Sequence, residues 1–229
     1  MKNGIYKARD AYFGNGTACL RMYNIDEGRI VWRNVRRMRL SKEELVEYGL
    51  RPGDILVNRV NSRELVGKAA VIPDGLEVCV FESKNIRLRV DPSRALPQFV
   101  SYCLQADGKR HFAMNAQQVV GMASITQGQI AEFSLPLPSL SRQQEVAATL
   151  DRITSAAESV NGALDRIVAR AFSVRQSILT RAFSGQLVPQ DPNDEPASVL
   201  LERIRAERVQ SGPRRRSRRA AVASGDANG

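Results

Sequence analysis

An unbroken apolar stripe in the second half of the chain is the strongest constraint on its fold. Val146, Leu150, Ile153, Ala157, Val160, Leu164, Ile167, Ala171, Val174 and Ile178 follow one another at alternating steps of four and three residues. This is a heptad seam, and each of its ten positions is apolar. The next two seam positions, Arg181 and Gly185, break it, and Gly185 is placed to end a helix. Ser141 and Gln144 stand three apart, as a capping box at the helix start requires. The spacing predicts a helix within 139–185, about 40 residues or roughly 60 Å long. So narrow a stripe cannot hold a helix in water by itself. No second heptad of comparable length occurs in the sequence. The partner helix is therefore expected on another molecule, such as a second copy. Ala157 and Ala171 would let two backbones approach closely.

Upstream, the pattern changes to mixed α and β. Gly28–Trp32, Asp54–Asn58, Gly67–Ile72 and Asn85–Val90 read as short strands. The last alternates with period two, as a half-buried strand does. Pro73-Asp74-Gly75 is a turn. Ser41 and Glu44 form a capping box for a helix over about 42–48, ended by Gly49. Leu96–Gln105 reads as another helix with Pro97 in its first turn, and 117–135 as strands and loops. Pro136-Leu137-Pro138 separates this domain, 1–138, from the heptad helix. The segment 186–210 reads as a proline-rich turn and a short helix from about 195, capped by Asp194. The Arg-rich remainder, 211–229, lacks apolar content and reads as a disordered basic tail.

Charge is distributed unevenly. The net +10 divides into +6 over 1–136, −1 over 137–200 and +5 over 201–229. A basic domain attracts polyanions. The single histidine, His111, excludes multi-histidine metal sites, and no metal ligation is expected. Cys19, Cys79 and Cys103 are odd in number and far apart, which fits a reducing cytoplasm rather than a disulfide framework. No run of 18 apolar residues occurs.

Several segments together resemble the specificity subunit of type I restriction–modification systems. They are Leu135-Pro136-Leu137-Pro138-Ser139-Leu140 with Gln144-Glu145-Val146, then Gln176-Ser177-Ile178-Leu179, and Ala182-Phe183-Ser184-Gly185-Gln186-Leu187-Val188-Pro189. Asp191 through Leu201 extends the likeness. Pro52-Gly53-Asp54-Ile55-Leu56 and Val66-Gly67-Lys68-Ala69-Ala70 look like that family's target-recognition domain. The resemblance implies an α+β (mixed α/β) target-recognition domain followed by a long coiled-coil helix and a short C-terminal helix. It implies a non-catalytic subunit that recognises double-stranded DNA and positions methyltransferase and restriction subunits. S-adenosylmethionine and ATP are then expected on those partners, and no cofactor on this chain. Family members usually carry two recognition domains and two long helices, whereas one of each is present here. The chain is therefore either a half-subunit that pairs with a second copy or a fragment of a longer gene. The alternative is a methyltransferase-binding scaffold that no longer reads DNA.

Phosphates call for cations, and base edges for forked or amide side chains. The first candidate cluster is Asn58, Arg59, Asn61, Ser62 and Arg63, with Lys68 nearby. The second is Lys109 and Arg110 with Asn115, Gln117 and Gln118. The third is Arg33, Arg36, Arg37 and Arg39, expected to touch phosphates only. The competing readings are a solvated turn for the first and a solvated helix end for the second. Catalytic residues are not expected. The chain has no Asn/Asp-Pro-Pro-aromatic motif and no Walker loop, and Gly14-x-Gly16 lacks a third glycine.

Overall fold

The computed structural model describes residues 1–119, 121–189, 191 and 193–210. The predicted tail, 211–229, lies outside them. Two compact units are present, Met1–Ser159 and Val160 onward.

The first unit is organised by a four-stranded antiparallel sheet, in the order β1 (Lys2–Asn3), β10 (Asn85–Leu88), β6 (Ile55–Asn58) and β8 (Ala69–Val71). Successive side chains on a strand point to opposite faces, and here both faces are covered. Ile55, Val57, Ile86 and Ala69 join one core, with Val100, Leu104, Phe112 and Ile125. Leu56 and Ala70 join a second, with Leu20, Ile25, Ile72 and Phe81. The expectation of a half-buried strand at 85–90 is thereby corrected, since all four residues of β10 are buried. Its polar positions are satisfied internally. The Arg87 guanidinium donates to the Gly49 carbonyl at 2.8 Å, at the C-terminus of helix α1 (Lys42–Tyr48), where a cation is favoured. Arg89 grips the buried Asp54 carboxylate through two hydrogen bonds, 2.6 and 3.1 Å long.

Helix α1 starts on the predicted Ser41–Glu44 capping box. Gly49 closes it without adopting a left-handed conformation (φ −58°). A second sheet, in the order β5 (Arg36–Met38), β2 (Tyr12–Leu20) and β9 (Cys79–Phe81), was not legible as strands. β2 is irregular, with a register shift between Tyr12 and Thr17 against β5. Gly16 lies here, so close to Met38 that a Cβ would sit 2.3 Å from its carbonyl oxygen. That close approach between strands accounts for the glycine without a phosphate loop. β3 (Ile25–Asp26) and β4 (Arg29–Ile30) form a separate antiparallel pair.

Helix α2 (Pro97–Cys103) has the predicted proline at its start, but the helical run continues further than expected. It passes through a π turn, Leu104–Gly108, into α3 (Lys109–Asn115). β7 (Val60–Asn61), β11 (Gln117–Val119) and β12 (Met122–Ser124) make a small third sheet. Helix α4 (Gln127–Ala131) follows on a Thr126–Gln129 capping box, within a segment expected to hold only strands and loops.

The long helix α5 spans Leu140–Phe183, 44 residues. Its first amide bond runs from Gln143 N–H to Ser139 C=O at 3.0 Å. Ser141 is thus inside the first turn, and the helix starts ahead of the expected Ser141–Gln144 cap. The helix ends as a Schellman motif. Gly185 is left-handed (φ +70°), Gln186 N–H bonds to Arg181 C=O at 2.7 Å, and Gly185 N–H to Ala182 C=O at 3.1 Å. The last helix, α6 (Ala197–Gln210), starts just after Pro196, later than predicted. Asp194 does not cap it, and its N–H bonds instead to the Asp191 carbonyl.

Candidate nucleic-acid interface

The small sheet β7–β12–β11 unites two clusters that are separate in the sequence. Asn61 pairs with Ala123, which pairs with Gln118, while Val60 pairs with Ser124, which pairs with Gln117. Residues directly opposite one another on a ladder share a face. The Asn61–Ala123 row is buried, so the Val60–Ser124–Gln117 row is the outward one. Gln117 and Gln118 therefore cannot both face one DNA groove, although both are exposed. Ser124, which sequence reasoning missed, shares Gln117's face.

Asn58 and Asn61 lie elsewhere than expected. Asn58 is wholly buried. Its Nδ2 donates to Lys84 O at 3.0 Å and Asn85 Oδ1 at 3.1 Å, and its Oδ1 accepts from Asn61 Nδ2 at 2.7 Å. Asn61 Oδ1 in turn accepts from Ser62 N–H at 2.9 Å. These amides hold the fold together and present nothing to a base edge.

Cations surround the sheet instead. Arg63 is exposed and donates from Nε to Ala113 O at 3.1 Å, tying the loop after β7 to α3. Lys109 and Arg110 are exposed on the first turn of α3. Arg59 is half-buried, with its carbonyl accepting from Ile125 N–H at 2.9 Å. Lys68 is half-buried, and burial lowers its pKa from the ordinary lysine value. Gly67 beside it is left-handed (φ +83°), and a Cβ there would lie 2.5 Å from the Phe112 ring. The loop thus presses on the core.

The third cluster belongs to a different sheet. Arg37 is paired with Glu77 and donates to Gly16 O at 3.2 Å. Arg39 stacks on Phe13 at 4.1 Å from the ring centroid. Arg36 is exposed. Among the described residues no group of three or more His, Cys, Asp or Glu could hold a metal ion. No helix there is long and apolar enough to cross a membrane.

A residue absent from the sequence expectations fixes the long helix to this domain. Gln143 is fully buried. Its Oε1 accepts from Leu96 N–H at 2.7 Å, and its Nε2 donates to Arg94 O at 3.0 Å and Pro138 O at 2.8 Å. Further along, Asp151 accepts from Tyr102 OH at 2.5 Å, and Glu158 pairs with Arg29 at 2.7 Å. Ala147, Asp151 and Glu158 form a stripe beside the seam, and Gln143 stands three residues before Val146, at the seam's upstream register position. The domain therefore grips the flank and this upstream position, while Ile153 and the seam positions from Val160 to Ile178 stay exposed.

Residues 23–168 match the family model for the type I restriction modification DNA specificity domain. The chain belongs to the type I specificity family. It is 30% identical to the type I restriction enzyme StySPI specificity subunit of Salmonella potsdam, across 96% of this chain and 49% of that protein. Against the EcoKI specificity subunit of Escherichia coli K12 the identity is 27%, across 96% and 49%. The chain thus spans about half the length of these specificity subunits. Two solved structures share its fold. One, described as the structural basis of complex assembly and conformational transition of the type I R-M system, aligns with a TM-score of 0.59 at 22% identity, over 80% of this chain and 43% of that one. The HsdS subunit from Thermoanaerobacter tengcongensis aligns at 0.53 and 18% identity, over 79% and 45%.

Proposed function

We propose that this chain reads one half of an interrupted duplex DNA target as the specificity component of a cytoplasmic type I restriction–modification complex. It is a reader and not an enzyme. Methyltransferase and restriction subunits bring S-adenosylmethionine, ATP and catalysis. A second copy, or the other half of a divided specificity subunit, covers the seam from Val146 to Ile178 and sets the distance between half-sites. The observation that carries this reading is the β7–β12–β11 sheet. It joins the strand of the first cluster to Gln117 of the second through Ser124, and Arg63 is tied to α3, the helix that carries the exposed Lys109 and Arg110. Asn58 and Asn61 act beneath it as supports.

Selection of bound targets from randomised duplexes by the assembled complex tests the proposal. Gln117→Ala is expected to relax preference at one base pair, by about 1–3 kcal/mol of discrimination. Gln118→Ala should do less. Lys109→Ala and Arg110→Ala should weaken all sequences alike and lower the salt slope by about 0.9 per lost phosphate contact. Binding without any sequence preference would refute the reading. Inserting four residues into the heptad helix lengthens it by about 6 Å. The unread gap should then change by about two base pairs at about 3.4 Å each.

A further inference from the structure

A concave surface lies near the small sheet, and of the sequence clusters only the third reaches it, through Arg36. It is a cleft of about 460 Å³ between the 5–9 segment, the 82–84 turn, Arg21 and Arg36. Cations dominate its wall: Lys7, Arg9, Arg21, Arg36 and Lys84. Lys7 is paired with Glu44. The other four form no ion pair among the described residues. Arg21 Nε is also buried without a hydrogen-bond acceptor, an arrangement that native folds avoid. Glu82 is the single carboxylate in the lining. It accepts from Met22 N–H at 3.3 Å, and burial pushes its pKa upward.

The cleft has a firm floor. Gly4 passes so close beneath the turn that a Cβ would lie 2.1 Å from Glu82 O. The turn is also bonded to the end of β6 and the residue that leads into β7. Lys84 O accepts from Arg59 N–H at 2.8 Å and from Asn58 Nδ2 at 3.0 Å. Asn58 then holds Asn61, which lies on β7. The buried asparagines thus set the cleft at a fixed place beside the sheet.

We infer that this cleft seats a backbone phosphodiester of the DNA whose bases the β7–β12–β11 sheet meets. The inference rests on the DNA-reading proposal. It assigns Arg9, Arg21, Arg36 and Lys84 to one phosphate and makes Arg36 the member of the third cluster that reaches DNA. Phosphate contacts of this kind fix register on the duplex and carry no sequence information themselves.

Two measurements on the full chain test it, with Arg9→Gln/Arg36→Gln as the variant. Lys42→Gln/Arg94→Gln, exposed and outside the cleft, is a control with equal charge loss. In the first, inorganic phosphate is titrated while amide resonances are followed. Saturable shifts confined to Tyr6, Lys7, Ser83 and Lys84, lost in the cleft variant and kept in the control, are expected. Absent or scattered shifts would overturn the cleft as an anion seat, whatever the chain does with DNA. The second measures affinity for a mixed-sequence duplex as salt is raised. The slope should fall by about 0.9 in the cleft variant relative to the control, with base preference unchanged. Equal slopes would remove the backbone phosphate as the ligand. A wild-type chain that binds phosphate in the cleft but no duplex would overturn both the DNA reading and the phosphodiester assignment.

Discussion

The two ends of α5 carry one heptad but stand in different surroundings. At the start, Gln143 and Ala147 are buried, and the seam residues Val146 and Leu150 are half-buried. Further along, Val160, Leu164 and Ile167 retain 60%, 53% and 63% of their exposure. A repeat states that a stripe must be covered, but not what covers it. Near its start the helix meets its own domain through Gln143, one seam step before Val146, and through Asp151 and Glu158 on the flank, which leaves the seam beyond Leu150 available. The uncovered stretch therefore has its contacts still to make, whereas the early turns have largely made theirs.

The largest expected effect breaks the uncovered part. Leu164→Ala removes a side chain that is half exposed in the single chain, so the unfolding midpoint of the recognition domain should not move. In a symmetric pair the loss is counted twice. At about 2 kcal/mol per buried leucine, the pair should weaken by about 4 kcal/mol, near a thousandfold in dissociation constant. Sedimentation equilibrium reads this directly. A change in domain stability with no change in self-association would mean that the seam is covered from within.

The covered part should fail in the opposite way. Gln143→Leu removes three hydrogen bonds and leaves the Leu96 N–H without its acceptor. The expected cost is about 2–4 kcal/mol, from lost bonds plus an unsatisfied buried group. Urea unfolding of the domain should register it, and self-association of the folded chain should change little. Gln143→Glu keeps the acceptor for Leu96 but sets a carboxylate against the Arg94 and Pro138 carbonyls. It should therefore not rescue.

This contrast also shows which features the sequence could reveal. Local rules acted where both partners are near neighbours. Ser41 and Glu44 cap α1, Pro97 starts α2, and Gly185 ends α5, all from spacing alone. The Thr126–Gln129 box obeys the same rule and would have revealed α4. Strand β2 stayed hidden because Gly14 and Gly16 interrupt its apolar pattern, and its partners are the distant β5 and β9. Polar residues misled most. Asn58 carries a side chain suited to adenine, yet its partners are Lys84 and Asn85, some 26 and 27 residues away. Gln143 sits in a charged helix start and looks solvated, but its partners lie 47 and 49 residues upstream. Two of the candidate clusters could be named but not joined, because only the pairing of β12 with both β7 and β11 brings them together.

The smallest effect concerns how the far end of α5 is closed. Its last turn is held by the Schellman bonds at Gly185. Gly185→Ala keeps the chain length and adds one methyl at φ +70°, where a Cβ costs about 1 kcal/mol. The penalty should fall on the last turn alone. Hydrogen exchange at the Gln186 amide, which bonds to Arg181, should accelerate about fivefold, since about 1.4 kcal/mol corresponds to tenfold. Amides of α2 and β6 should keep their protection, and the domain its urea midpoint. If the variant instead lowered that midpoint, the end of α5 would be coupled to the domain as firmly as its start, and the contrast between the two ends would fail.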